Sequence, residues 1–187
     1  MRGLLFTDFV DMIESRYSLA LADEVLSVAG LTAGGAYTTV GVYEFREFAL
    51  LVDRVVERVQ HSRAEILVEF GRFHFHKLRR LYPHLMTGVN DTFALLDRAD
   101  HPIHTTVTSV HAGAEVPQLL FERLSATQAR LEYRSPRGLA HIAEGIVLEA
   151  AAHYKQTIRI ETTNAQQKDA DQLSKHACYL LTITSNP

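Results

Sequence analysis

Residues 131–141 read LEYRSPRGLAH, an alternating segment that runs into a proline and a glycine and then into an apolar helical pattern. If the segment is extended, its side chains alternate between faces, so Tyr133, Ser135 and Arg137 share one side. All three side chains donate hydrogen bonds, and one carries a fixed positive charge. We therefore expect them to converge on an anion with several acceptor oxygens, either a pair of carboxylates or a phosphate.

The segments around this stretch predict two hairpins separated by a helix. Apolar and β-branched residues alternate in short runs, the first two joined by a polar turn and the last two by a long connection. The runs are LLFERL (119–124), ARLEYRS (129–135), QTIRIETT (156–163) and ACYLLTITS (177–185), with helix predicted over 138–154. This order indicates a β-β-α-β-β unit with an antiparallel sheet.

The N-terminal part of the chain is predicted to be helical. Apolar residues recur at helical spacing over 4–13 and 43–59, and Ser62 with Glu65 forms a capping-box signature at the start of a further helix. Shorter helices are expected over 22–30, 91–99 and 103–111, with a loop over 31–41 and an interruption at Pro102. We predict an α+β protein whose helical part covers about 1–112 and whose sheet-containing part covers about 113–187.

Length and composition favour one soluble domain over 1–187. The chain has 187 residues, of which 47% are hydrophobic and 22% charged, as is ordinary for a globular protein. A formal net charge of -3 without any block of Lys and Arg gives no electrostatic footprint for nucleic acid. Asp8 and Asp11 interrupt the N-terminal apolar run, so we expect neither a signal peptide nor a membrane span.

The single cysteine, Cys178, excludes an internal disulfide and any cysteine-rich zinc cage. It is typical of a reducing cytoplasm, which is the predicted location. Cys178 is interpreted as a small, buried apolar residue.

Among the ten histidines, His104 lies in the most apolar surroundings, within PIHTTVTSV. A haem is an apolar disc with two propionate carboxylates, so its site needs an imidazole, an apolar slot and donors at one edge. His104 offers the imidazole, and Arg137 with Tyr133 and Ser135 offers the donors. The residues therefore suggest a haem-binding site, whereas a strand edge with three solvated polar residues is the alternative.

With these residues in place, the sequence resembles the haem nitric oxide/oxygen-binding (H-NOX, HNOB) domains, which are related to the haem domain of soluble guanylate cyclase. The resemblance runs nearly end to end and is carried by the Tyr-x-Ser-x-Arg pattern, by the upstream His104 and by several further motifs. These are MRGLLF, GAYTTVGVY, EFGRFHF, RLYPHL and SPRGLAHIAEG. The resemblance implies the H-NOX fold, a buried haem b and His104 as its iron ligand.

His101 is the rival iron ligand, but it directly precedes Pro102 and is thereby biased toward an extended conformation. The spacing to Pro117 and Tyr133 in the family also favours His104.

The resemblance also implies which residues line the haem. Leu5 and Pro117 are expected to press on it and bend it, and the other predicted contacts are Phe9, His74, Leu78, Ile142 and Ile146. Family members that hold oxygen carry a distal Tyr where this chain has Ile142. Since Ile donates no hydrogen bond, the resemblance implies a sensor that binds nitric oxide, with carbon monoxide as a further ligand, and excludes oxygen.

His74 is the residue that departs from this expectation. It falls in GRFHFHKL on the distal helix, where it can hydrogen-bond a ligand or bind the iron as a second histidine. The other interpretation is a histidine turned toward the core edge or solvent, which we favour.

The resemblance implies a stand-alone sensor that signals to a separate histidine kinase or cyclic-di-GMP signalling enzyme, and no catalytic activity. Alternatives are a bis-histidine or haem-free relative acting as a redox sensor or partner-binding module. A metal-dependent enzyme is a further alternative, because His141, Glu144, Glu149 and His153 lie on one helix. No matching Glu and His pairs are apparent on other helices, so these four residues are better interpreted as a solvated helix face.

Overall fold

The computed structural model describes residues 1–27, 30–99, 117–163 and 175–185. Six helices and four strands lie in these ranges. The helices are α1 (Gly3–Arg16), α2 (Leu19–Leu26), α3 (Phe45–Arg58), α4 (Arg63–Leu81), α5 (Thr92–Arg98) and α6 (Ala140–His153). The strands are β1 (Gln118–Arg123), β2 (Gln128–Arg134), β3 (Thr157–Thr162) and β4 (His176–Ser185). The predicted α+β order of helices followed by a β-β-α-β-β unit is confirmed.

The four strands form one antiparallel sheet with the order β1-β2-β4-β3. Each hairpin therefore contributes two neighbouring strands, and the hairpins join through β2 and β4. Alternate residues of β2 and β4 are buried, as expected for a sheet covered on one face. That covered face packs against α6 through side chains such as Tyr133, Tyr179 and Val147.

The helical part has its own core, rich in aromatic side chains. Phe6, Phe9, Phe48 and Phe70 are fully buried and pack with ring centroids 5.2 to 5.8 Å apart in four pairs. Such edge and tilted contacts add to the burial of apolar surface. This core fixes α1, α3 and α4 against one another.

A close crossing of α4 and α6 connects the helical part to the sheet. Gly71 on α4 faces Gly145 on α6, and a Cβ atom added to either glycine would lie 2.9 Å from the Cα atom of the other. The added Cβ atoms would also overlap the carbonyl oxygens of Ile142 and Val68. The two helix backbones approach this closely only because both positions lack a side chain.

The start of α4 is set by the predicted capping box. The Ser62 hydroxyl accepts from the Glu65 N–H at 3.3 Å, and the Glu65 carboxylate accepts from the Ser62 N–H at 2.7 Å. These bonds satisfy two N–H groups that the first helical turn leaves without partners.

We expect Ser62→Ala to lower the free energy of unfolding by about 1 kcal/mol, because the N-cap acceptor is lost. Urea denaturation of the two proteins measures this difference. Ser15→Ala is the control, since Ser15 is an exposed helical residue whose hydroxyl only donates to the Met12 carbonyl. Equal destabilisation by both substitutions would contradict a capping role.

Candidate haem site

The three predicted anion-binding residues lie at the junction between β2 and α6. Tyr133 belongs to β2, but the strand ends at Arg134, and Arg137 lies in a turn. The strand ends because Pro136 lacks an N–H group, and Gly138 takes a positive φ of 62° in the turn. Tyr133, Ser135 and Arg137 therefore do not lie on one continuous strand, as the alternation predicted. Ser135 still donates its N–H to the Lys175 carbonyl at 2.9 Å.

The turn nevertheless gathers these groups around the buried Tyr133 phenol. Tyr133 is 3% exposed and Ser135 is 8% exposed. The Ser135 side chain hydrogen-bonds the phenol, whose oxygen also accepts from the Leu139 N–H at 3.3 Å. Burial raises the pKa of Tyr133, while the Ser135 and Leu139 hydrogen bonds and the nearby Arg137 charge act in the opposite direction. The phenol is thus a neutral donor at physiological pH, beside a guanidinium.

Four of the predicted haem-lining residues lie in one apolar cluster. Phe9 and Ile142 are buried in the core of the helical part, and Leu5 and Ile146 pack against it while remaining partly exposed. Leu78 is half-buried on α4, and Pro117 is half-buried directly before β1. Helices α1, α4 and α6 therefore each contribute apolar side chains of the kind that the face of a haem requires.

His74 is a buried histidine with a buried acidic partner. It is 6% exposed, and its Nδ1 lies 2.7 Å from Oδ2 of Asp8, which is 2% exposed. Lys77 lies 3.8 Å from the same carboxylate and 2.6 Å from that of Asp11. Because a carboxylate only accepts, Nδ1 carries the proton of this hydrogen bond. Within the described part of the chain, Nε2 forms no hydrogen bond.

The favoured interpretation of His74, a side chain at the core edge or in solvent, missed this pair. Asp8 is the candidate site residue that sequence reasoning did not find. A signal was present, since Asp8 is an acidic residue within the apolar pattern of α1, but it was interpreted only as an interruption of a membrane span. A buried acidic residue needs a partner, and here the partner is 66 residues away.

The proposed iron ligand His104 and its rival His101 lie outside the described residues.

Among the residues that the structure describes, the four candidate ligands of a metal-dependent enzyme on α6 form no metal site. Glu149 pairs with Arg72 at 3.2 Å and His76 at 2.9 Å, and His153 lies 2.8 Å from Arg79. In the part of the chain that the structure describes, no residue of α6 belongs to a group of three potential metal ligands. Glu149 and His153 instead tie α6 to the exposed side of α4, whereas His141 pairs with Glu144 on α6 itself at 3.1 Å.

A surface cleft of about 300 Å³ lies between the end of α1 and α4. Its lining is largely basic, and none of the predicted haem residues takes part in it. The residues are Ser15, Arg16, Phe73, His76, Lys77 and Arg80.

The described residues fit a haem. The charged Arg137 side chain and the neutral donors of Ser135 and Leu139 surround the buried Tyr133 phenol. Apolar side chains come from three helices. Among the described residues, the buried His74 imidazole has one ring nitrogen without a hydrogen bond. The donor group suits propionate carboxylates, and the apolar side chains suit the porphyrin face.

No helix in the described ranges combines the length and apolar character needed to cross a membrane.

Comparison with known proteins gives the family. The model of the haem-NO-binding family matches residues 2–162. No curated protein matches this sequence at the level required for significance.

Solved structures of H-NOX proteins share the fold over nearly the whole chain. The unliganded Fe(II) H-NOX protein from K. algicida is 22% identical with a TM-score of 0.89, covering 100% of this chain and 98% of that one. The S. oneidensis protein in the Fe(II)NO state is 23% identical with a TM-score of 0.85 and coverages of 99% and 100%. The IWP-051-bound protein from Shewanella woodyi in the Fe(II)CO state is 29% identical with a TM-score of 0.79 and coverages of 97% and 94%. The chain belongs to the haem-NO-binding (H-NOX) family of haem-based gas-sensor domains.

Proposed function

We propose that this chain is a nitric oxide sensor that holds haem b with His104 as the iron ligand and with Tyr133, Ser135 and Arg137 at the propionates. The observation that carries the proposal is the buried Tyr133 phenol, which Ser135 and Leu139 contact beside the Arg137 guanidinium. Bound haem would supply the iron that takes up the gas. The chain's own residues hold the cofactor and determine how strongly each gas is bound.

The distal side favours nitric oxide over oxygen. Ile142 is 7% exposed and packs in the apolar cluster with Leu5 and Phe9, and none of these side chains can donate a hydrogen bond. Bound oxygen is more polar than bound nitric oxide. The absence of a hydrogen-bond donor therefore lowers the affinity for oxygen more than the affinity for nitric oxide. One donor contributes about 1–3 kcal/mol, or roughly a 5- to 150-fold difference in affinity.

His74 does not supply that donor in its neutral form. With Asp8 accepting from Nδ1–H, a neutral ring leaves Nε2 as an acceptor, which cannot donate a hydrogen bond to a bound gas. This arrangement supports the exclusion of oxygen.

The relatives support the choice of gas. The S. oneidensis and S. woodyi proteins were captured in Fe(II)NO and Fe(II)CO states, and we extend both ligands to this chain. We further propose a cytoplasmic location, no catalytic activity of its own, and a separate histidine kinase or cyclic-di-GMP signalling enzyme as the partner. The signal would pass through the α4–α6 crossing, since α4 carries His74 and α6 carries Ile142.

Absorption spectroscopy of the purified protein tests this function. We expect a Soret band in the reduced protein that shifts with nitric oxide and with carbon monoxide but stays unchanged in air over the time needed for the measurement. A protein that remains colourless after haem is added would overturn the proposal. A stable oxygen complex would overturn the exclusion of oxygen alone.

The second candidate function is a bis-histidine redox sensor. The observation in its favour is the Asp8–His74 pair, since histidines that bind metals commonly donate their other N–H to a carboxylate. In the nitric oxide sensor, His74→Ala should leave the reduced spectrum unchanged. Conversion from six- to five-coordinate haem in that variant would instead establish His74 as a ligand.

We expect Arg137→Ala to weaken haem binding roughly 10- to 150-fold, because a charge-assisted hydrogen bond of about 1.5–3 kcal/mol is lost. Haem transfer to an acceptor protein measures this change as a faster rate of loss. Arg134→Ala is the matched control, because Arg134 is exposed on β2 and pairs with Glu132. Equal rates of haem loss in the two variants would place the propionates elsewhere.

A further inference from the structure

The segment 37–43 holds the start of α1 in place. The Gly3 N–H, at the first residue of α1, donates to the Gly41 carbonyl at 2.8 Å. A Cβ atom added to Gly3 would overlap the carbonyl oxygen of Thr38, so the segment passes over the helix at a distance that only glycine allows. Because these contacts are between backbone atoms, the start of α1 cannot shift unless the segment moves with it.

Two aromatic side chains of the segment also pack on the N-terminal part of α1. The ring centroids of Tyr37 and Tyr43 lie 4.6 and 5.2 Å from that of Phe6 and 4.8 Å from each other. Phe6 is fully buried and directly follows Leu5, the predicted haem contact on this helix. Movement of either tyrosine ring would therefore displace the helical turn that carries Leu5.

A buried carboxylate on α3 fixes Tyr37. Glu47 lies in the first turn of α3 and is 3% exposed, and its Oε2 accepts from the Tyr37 hydroxyl at 3.0 Å. Its Oε1 accepts from the Thr32 hydroxyl. Burial, followed by the Glu47 hydrogen bond and charge, raises the pKa of Tyr37, so the phenol stays a neutral donor. The positive end of the α3 dipole favours a carboxylate at this position, and Glu47 thereby joins the segment to α3.

We propose that Tyr37 and Glu47 are positioning residues for the haem: their hydrogen bond fixes the 37–43 segment, which sets the depth at which Leu5 meets the porphyrin. The inference rests on the proposed haem site and gives a role to two residues outside the predicted haem contacts. A sensor signals through the position of its cofactor relative to the surrounding helices. A residue that fixes one of these helices therefore affects how firmly the haem is held and how far it is bent.

The opposite end of α1 provides a matched control. The Tyr17 hydroxyl donates to Glu69 on α4 at 2.5 Å, and burial again raises the pKa of the tyrosine. At about 1.5 Å per residue, Tyr17 lies roughly 18 Å along the helix from Leu5. Loss of either tyrosine hydroxyl removes one phenol–carboxylate hydrogen bond, but only the loss at Tyr37 should change the position of Leu5.

Haem transfer to an acceptor protein tests the proposal in Tyr37→Phe and Tyr17→Phe, which both keep the ring and remove one hydroxyl. We expect Tyr37→Phe to lose haem roughly 2- to 10-fold faster than the unmutated protein, and Tyr17→Phe to lose it at the unmutated rate. Each protein is measured at the same interval below its own Tm, so that a general loss of stability does not affect the comparison. Equal rates of haem loss in the two variants would overturn the positioning role.

Resonance Raman spectroscopy of the reduced protein gives a readout that a merely structural role would not change. The bands of out-of-plane haem modes should be weaker in Tyr37→Phe, because a displaced Leu5 presses less on the porphyrin. Glu47→Gln should act in the same direction, since an amide has one acceptor oxygen for two hydroxyl donors. Bands that stay the same in both variants would refute the proposed role.

NMR of the Leu5 methyl groups separates this inference from the proposed function. If the protein takes up no haem, the proposed function fails, but the methyl chemical shifts still report the position of Leu5. We expect these shifts to change in Tyr37→Phe and to stay the same in Tyr17→Phe, both with and without haem. Unchanged Leu5 shifts in Tyr37→Phe would overturn the inference whether or not the protein binds haem.

Discussion

Replacing His104 by glycine is expected to give a protein that is purified without haem, or that holds haem only when imidazole is added. In the proposed site His104 is the one protein ligand to the iron. The protein donors at the propionates supply only hydrogen bonds of about 1–3 kcal/mol each. Loss of the ligand should therefore lower haem affinity far more than loss of Arg137. Glycine leaves space in which free imidazole can take the place of the lost side chain.

The measurement is the ratio of Soret to protein absorbance in purified His104→Gly, with and without imidazole. His101→Ala is the control, because it removes the neighbouring imidazole and should leave both the haem content and the spectrum unchanged. The reverse pattern, with haem lost only in His101→Ala, would assign the ligand to His101. Retention of unchanged haem in both single variants would exclude both histidines and leave His74 to be examined.

The secondary structure was predictable where local signals specify it. Ser62 and Glu65 marked the start of α4, because a capping box satisfies backbone groups within one turn. The alternation in 129–135 marked β2, because one face of the strand is buried against α6. The strand ended one residue before Ser135, and the turn at Pro136 brought Arg137 beside Tyr133 by a route that alternation alone does not describe.

The pairings between distant residues could not be predicted. Asp8 and His74 are on different helices, and periodicity gives the buried face of each helix but not which residues meet across it. Glu132 and His176 meet because of the register of β2 against β4, where a shift of one residue would move every side chain to the other face. Both the acidic partner of His74 and the contact between Glu132 and His176 therefore became visible only in the folded chain.

The α4–α6 crossing gives the largest expected effect on stability. A Cβ atom at Gly145 would overlap the Val68 carbonyl, and backbone atoms cannot move aside as the end of a flexible side chain can. Overpacking costs about 1–3 kcal/mol, whereas alanine gains up to about 1 kcal/mol over glycine in helix propensity. Gly145→Ala should therefore be mildly destabilising, and Gly145→Val should lose about 3 kcal/mol because valine adds further volume.

For a chain of this size, a loss of about 3 kcal/mol corresponds to a fall in Tm of roughly 6–12 °C. Ala152→Val is the matched control, because it adds a valine to the same helix at an exposed position. Its cost should be only the propensity difference, about 0.5 kcal/mol. The crossing also sets the spacing between His74 on α4 and Ile142 on α6, so Gly145→Val should lose haem faster than Ala152→Val. Equal melting and equal haem loss in the two valine variants would mean that the helices separate without cost, and that their close approach does not define the haem site.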